Sequence, residues 1–279
     1  MIKSDSRPTA GGEQMKTVGL AIPASSIDDR FVATLVNSLA DPLIRSRVSL
    51  MTKVVDDRAA EEQLYRDWAD VGGISGVALL GFGADDTRAD LLRSLGFPLA
   101  AVVDTSVQAE FGTVIVDFDS SIDVLRAFLA QRPQRRTVYV ISVEEGAALS
   151  ARKEATARAE RDGLFEVVHS APGVEAALAA ASAAVTGEPV TLVFDSDVHA
   201  AAALASFSSR GIGVPHDVSI VSWTNSALCQ SASPSITAID RRGGHIGSLL
   251  GTCMLDAIAG NGVTHTKAPR PFVALGETA

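Results

Sequence analysis

Short β-branched runs alternate with longer stretches of helical periodicity from Thr17 almost to the C-terminus, and a chain patterned this way has few outcomes besides an α/β fold built on parallel sheets. The runs read as strands are Thr17–Ile22, Val48–Val54, Gly76–Leu80, Leu99–Val103, Val114–Val116, Val138–Ile141, Glu166–His169, Val190–Phe194, Val218–Ser222 and Ile236–Ile239. Most are apolar throughout, as strands covered on both faces are. Helices are predicted over Asp29–Ile44, Arg58–Asp70, Thr87–Leu95, Ser121–Ala130, Leu149–Asp162, Val174–Val185, Val198–Ser209 and Gly244–Ala259. Asp85 and Asp86, Ser120 and Asp197 stand where N-caps belong, and Gly260 with Gly262 follows the last helix. Ligands of such folds settle beyond the carboxyl ends of the strands, so the loops there are where site residues are expected.

With 279 residues, 47% of them hydrophobic and 20% charged, the chain can bury one large core or two smaller ones. The segment Gln131-Arg-Pro-Gln-Arg-Arg136 closes one βα series, and a crossing between subdomains is expected just after the strand at Val138, near Ser142. Residues 1–15 read as a tail or linker. Two cysteines, Cys229 and Cys253, fit a reducing compartment, and Met1 to Lys16 has no apolar core of the kind an export signal needs, so the cytoplasm is expected. Val218 to Ile239 is broken by Ser, Thr, Asn, Gln and Pro, so no membrane span is expected. A net charge of −9 argues against a chain that binds nucleic acid by itself, since phosphate neutralisation needs clustered Lys and Arg.

Few chemical motifs survive inspection. Gly81-Phe-Gly83 follows a strand and precedes a helix, but Asp86 stands where a dinucleotide-binding turn has its third glycine, which leaves an ordinary βα loop. Signatures for phosphate loops, zinc hydrolases and acyl-transfer elbows are missing, so no catalytic residue and no cofactor is assigned. Asp195, Asp197 and His199 would share one face of a continuous strand and could hold a metal. If the strand ends at Phe194 they instead cap a helix, and no metal is assigned. Asp28 and Asp29 either complement a helix dipole or bind a hydroxyl or cation. Arg152 opens a helix, from which a guanidinium can grip a carboxylate, phosphate or diol with a forked pair of hydrogen bonds.

The stretch from Val190 to Ile258 adds a resemblance. A strand ending in Ser196-Asp197 precedes an Ala-rich helix, Arg210 to Ser219 leads into the next strand, Pro234 to Thr237 forms a turn, and Gly247 lies near the start of the last helix. This ordered set is similar to the C-terminal half of the effector-binding core of LacI/GalR-type transcriptional regulators. Weaker similarity runs back to Lys16 through Thr17-Val-Gly-Leu-Ala-Ile-Pro23 and Gly96 to Asp104. Ser150 to Thr156 resembles the family's R-x-x-G-aromatic helix start, with Arg152 at the ligand-contacting arginine but Ala155 and Thr156 replacing the glycine and the aromatic.

The resemblance implies a type I periplasmic-binding-protein-like fold: α/β, two Rossmann-like subdomains with parallel sheets, joined by a three-crossover hinge. The N-terminal subdomain would comprise residues 16–141 plus 240–259, and the C-terminal one 142–239 plus 260–279. Residues expected to line the cleft are Ser25, Ser26, Asp28, Phe82, Arg152, Ser196, Trp223, Thr224 and Asn225, with Trp223 either stacking on a ligand or packing in the core. The family usually has Gly-aromatic-Asp-Asp where this chain has Ser222-Trp223-Thr224-Asn225, and often Asn where it has Ser196. Loss of the acid weakens the case for a free sugar and favours a phosphorylated, carboxylated or less polar effector. The expected partners are a small-molecule effector, a second copy of the chain, and operator DNA only through a helix-turn-helix head, for which sixteen residues with Pro8, Gly11 and Gly12 leave no room. The alternative function is a free-standing solute-binding protein for a transporter; an enzyme of unknown type has no converging nucleophile, base or metal cluster behind it.

Overall fold

A computed structural model describes residues 15–27, 29–142 and 150–279, the side chains of residues 150–153 excepted. The first series of elements is β1 (Thr17–Pro23), α1 (Arg30–Arg45), β2 (Ser49–Val55), α2 (Arg58–Val71), β3 (Gly76–Phe82), α3 (Arg88–Ser94), β4 (Leu99–Asp104) and β5 (Gly112–Val116). The second is α4 (Phe118–Ala130), β6 (Arg136–Ser142), α5 (Ser150–Arg161), β7 (Glu166–Ser170), α6 (Val174–Ala184), β8 (Val190–Phe194), α7 (Asp197–Ser209), β9 (Val218–Ser222), α8 (Ala227–Ser231) and β10 (Thr237–Asp240). The chain ends with α9 (Gly243–Ala259), β11 (His265–Lys267) and β12 (Phe272–Ala274). All ten expected strands and all eight expected helices form, with ends shifted by a few residues.

Two six-stranded sheets result, ordered β11-β5-β4-β3-β1-β2 and β12-β10-β9-β8-β6-β7. Every ladder is parallel except the edge pair β10 and β12. Alternation along each strand feeds opposite faces. Val77 and Leu79 pack with Tyr65, Trp68 and Leu92 under α2 and α3, whereas Ala78 faces Leu35, Leu39 and Leu250 of α1 and α9. In the second sheet Leu192, Phe194 and Ile220 join Ala181 and Phe207 on one face, and Val193 and Val221 join Leu125 and Phe165 on the other. The sequence reads as continuous apolar runs because both faces of each sheet are covered.

Caps set where helices begin. Asp29 accepts from the Phe31 N–H at 2.8 Å, Asp57 from Ala60 at 2.8 Å and Ser196 from Val198 at 3.2 Å. The fourth helix starts earlier than its sequence suggests, because Asp117 rather than Ser120 is the cap and accepts from the Ser120 N–H at 3.2 Å. Helix α9 lies against α1 at close range. A Cβ at Gly247 would overlap the Leu35 carbonyl, and one at Gly251 would overlap Pro42.

The chain passes between the two sheets three times, at Asp117, at Arg241-Arg242 and between β11 and β12. Two expected boundaries differ from this. The strand around Val138–Ile141, assigned to the first unit, is hydrogen-bonded to β7 and β8 in the second sheet. Helix α4 goes with it, since Ile122, Leu125 and Phe128 pack against Tyr139 and Trp223. The tail 260–279, assigned whole to the second unit, is divided: His265–Lys267 pairs with β5 of the first sheet. A strand's own sequence does not specify which sheet edge it joins; the burial of its neighbours does. Among the described residues no helix is long and apolar enough to cross a membrane.

Candidate functional site between the two sheets

The carboxyl ends of both sheets face a common cleft, and the residues there come from three directions. From the first sheet, β1 ends at Pro23 and a single 3₁₀ turn, Ala24–Ser26, leads towards α1. Ser25 is exposed and Ser26 half-buried on this turn. Asp28 lies outside the described residues. Arg30, the first residue of α1, places its Nε 3.0 Å from Asp197 Oδ2 at the start of α7, so one ion pair spans the cleft. Asp197 is buried, with a side chain 4% exposed, and also accepts from the Ser226 hydroxyl at 2.6 Å and from the Val198 N–H at 3.0 Å. Its neighbour Asp195 accepts from the Ser142 N–H at 2.9 Å and lies 3.3 Å from His199 Nδ1, which ties the end of β6 to the start of α7. Asp195 thus pairs with His199 and the end of β6, whereas Asp197 is taken up by Arg30 and Ser226.

At the second crossing the cleft deepens into a cavity of about 160 Å³. Phe31 and Thr34 of α1 form one wall, Thr224 and Asn225 after β9 form another, and the segment from Asp240 to His245 closes the back. Arg241 stacks its guanidinium 3.9 Å from the centre of the Phe31 ring and donates from Nη2 to Thr224 Oγ1 at 3.2 Å. Asn225 donates from Nδ2 to Asp240 Oδ2 at 3.0 Å and accepts from Gln230 Nε2 at 2.8 Å. Asp240 Oδ1 takes the Arg242 N–H at 2.7 Å, which helps hold Arg242 in the left-handed conformation from which α9 starts. Beneath this floor Cys229 is buried with its thiol near the Thr224 carbonyl, and burial pushes that thiol up, away from the reactive thiolate.

Of the residues expected to line the cleft, Thr224 and Asn225 face this cavity. Ser196 is at the cleft edge, committed to capping α7. Phe82 and Trp223 are in the core instead. Phe82 is 7% exposed and meets Phe111 edge-on, with ring centres 5.3 Å apart. Trp223 has no exposed surface, and its indole is stacked against both Phe118 and Tyr139, at 5.7 and 5.4 Å. Large flat side chains at strand ends gain more by covering the sheet than by standing in water. Arg152 belongs to α5, but its side chain is outside the described residues. Arg30, Phe31 and Arg241 were missed by sequence reasoning. The available signal was a basic pair, Arg241-Arg242, immediately beyond the carboxyl end of a strand and ahead of two glycines.

Two parallel-sheet lobes, joined by three passes of one chain and meeting at the carboxyl ends of their strands, define a two-lobed binding protein of the α/β class. A family model described as the periplasmic binding protein-like domain matches residues 113–278, more than half of the chain, and the chain belongs to that family. It is 27% identical over 223 residues to the HTH-type transcriptional regulator MalR of Streptomyces coelicolor, a match covering 75% of this chain and 64% of that regulator, so the chain spans just under two thirds of its length. The structure of a LacI family transcriptional regulator from Bifidobacterium animalis subsp. lactis superposes with a TM-score of 0.81 at 24% identity, covering 94% of this chain and 97% of that one. A transcriptional regulator CelR in complex with cellobiose superposes with a TM-score of 0.76 at 19% identity, over 94% of this chain and 84% of that one. The similarity is therefore to transcriptional regulators of the LacI family, on the fold that those regulators share.

Proposed function

We propose that this chain is the small-molecule effector-binding and dimerisation core of a LacI/GalR-like transcriptional regulator working in the cytoplasm. Ligand-dependent closure of the cleft would control DNA binding by a helix-turn-helix head outside these residues. The observation that carries the reading is the cavity at the second crossing, whose walls come from both lobes, so that a ligand filling it makes contacts that exist only at one lobe spacing. Similarity to the MalR regulator favours this role over a free-standing solute-binding protein. The cleft residues proposed to meet the effector are Ser25, Ser26, Asp28, Arg152, Ser196, Thr224 and Asn225, with Arg152 gripping its polar end.

Thermal unfolding against sugars, sugar phosphates, carboxylates and nucleobases tests the reading, because a ligand at about 100 times its Kd adds about 2.7 kcal/mol. A rise in Tm confined to one chemical class is expected. Arg152→Ala should weaken that ligand by about 1.5–3 kcal/mol, the worth of a charged hydrogen bond. Unchanged affinity in this variant would remove Arg152 from the site.

A further inference from the structure

We propose that Arg242 is the pivot of the hinge at the second crossing, a positioning residue whose left-handed backbone is coupled to the lobe disposition in which Arg30 reaches Asp197 across the cleft. This goes beyond the effector-binding reading, since it concerns the ligand-free chain and holds whichever molecule fills the cleft.

Three observations carry it. Arg242 is anchored to the second lobe by backbone and side chain together: its N–H donates to Asp240 Oδ1 at 2.7 Å, and its guanidinium lies 5.3 Å from the centre of the Phe272 ring. Asp240 and Phe272 stand opposite each other on the antiparallel ladder of β10 and β12, so the two anchors form one platform at the edge of the second sheet. The next residue, Gly243, already belongs to the first lobe. It opens α9, and a Cβ there would come 3.0 Å from the Phe31 ring of α1. A rotation between the lobes at this crossing therefore falls on the peptide joining Arg242 to Gly243 and on the dihedrals that flank it, as hinges place such changes at a few element-terminal residues. The third observation is that Arg242 carries two local costs at once. Its φ of 64° and ψ of 34° are unfavourable for a residue with a Cβ and free of that cost for glycine. Its Nε is buried without a hydrogen-bond partner among the described residues. Such a conformation persists only where its surroundings over-determine it. Here one lobe supplies those surroundings before the residue and the other lobe after it, so the left-handed backbone and the lobe disposition stand or fall together.

The location adds a consequence. Arg242, Gly243 and Gly244 line the cavity at the second crossing, so a molecule filling it touches the pivoting peptide from both lobes. Its binding free energy then depends on the state of Arg242.

Pulsed electron paramagnetic resonance on the whole ligand-free chain tests the assignment. Spin labels are placed at Asp85→Cys and Ala171→Cys, exposed positions beyond β3 and β7 on opposite lobes, and the native Cys229 and Cys253 are buried away from the label. Arg242→Ala loses the stack on Phe272 but keeps the cost of a positive φ, and is expected to gain a population at longer distance. Arg242→Gly loses the same side chain without that cost and should keep more of the short distance. The ratio of the two populations is expected to differ between these variants by about 5- to 30-fold. Phe272→Leu removes the platform and leaves Arg242 in place, and should shift the distances in the same direction as Arg242→Ala. Circular dichroism and Tm report whether each variant keeps the fold, and the partly exposed Phe272 keeps the test informative if the Arg242 variants lose stability. Distances unchanged in Arg242→Ala and Phe272→Leu, even with a lower Tm, would reduce Arg242 to a helix-start residue and overturn the pivot. Equal shifts in Arg242→Ala and Arg242→Gly would overturn the role of the left-handed backbone. Failure of the effector-binding reading would leave these distances untouched, because no ligand is added.

Discussion

Asp86 illustrates how far a single residue's neighbours decide its behaviour. From the sequence it reads as a helix cap, and it does accept from the Arg88 N–H at 3.0 Å. Its carboxylate also receives the Arg88 side chain at 2.6 Å, and Arg88 in turn reaches the buried Glu61 at 2.9 Å and the Leu80 and Gly81 carbonyls at 3.1 Å. The network anchors the loop beyond β3 to α2. Burial opposes ionisation of Asp86, but the hydrogen bonds and charge of Arg88 outweigh it and hold the carboxyl below the usual carboxylate range. A carboxylate whose folded pKa is lowered stabilises the protein above its unfolded value, near pH 4, and that stability is lost as pH falls through the folded pKa. Asp86→Asn is expected to lose about 1–3 kcal/mol at neutral pH and to show a shallower decline in stability below about pH 4, measurable by urea unfolding across pH.

The packing of α1 on α9 is the element-scale feature with the sharpest requirement. Gly247 and Gly251 lie one turn apart on α9, and both face α1 backbone or Pro42 where no Cβ fits. The sequence marks these positions only as glycines in an apolar helix, a pattern that otherwise costs about 1 kcal/mol each relative to alanine. Here the smaller side chain permits the close approach that buries Leu35, Leu39 and Leu250. Gly247→Ala is expected to destabilise by about 1–3 kcal/mol or more despite its better helix propensity, read as a fall in the denaturant midpoint without a change in helix content by circular dichroism. Because α9 begins at the second crossing, the same substitution should also disturb the cavity and weaken effector binding.

At the scale of the whole molecule the question is what fixes the lobes relative to each other. Arg30 and Asp197 form a bond across the cleft, one end half-exposed and the other buried. Its net worth is small, about 1 kcal/mol, because Arg30 remains in contact with water. That amount still shifts a lobe equilibrium about fivefold. Arg30→Gln is expected to increase the radius of gyration of the ligand-free protein in small-angle X-ray scattering and to weaken effector binding several-fold. A scattering curve identical to wild type would show that the pair does not hold the lobes.

Much of this architecture was legible in the sequence because it follows from local pattern. Ten apolar strand runs, eight helical periods and the cap at Gly260 are set by residues within a few positions of one another. The order of motifs from Val190 to Ile258 likewise carried the family. Sheet membership was not legible at β6 and β11, because Val138–Ile141 and His265–Lys267 would fit either sheet and only the surfaces left uncovered by other elements select one. The position of Thr224 and Asn225 on the cavity was legible, because they follow a strand end directly. Phe82 and Trp223 have the same position on their strands, yet their rings turned into the core, since burying a large aromatic outweighs leaving it at the cleft. Arg241 could be read as a charge but not as a residue stacked on the Phe31 ring. That contact depends on Phe31, which lies far earlier in the chain and meets Arg241 only when the two lobes are folded against each other.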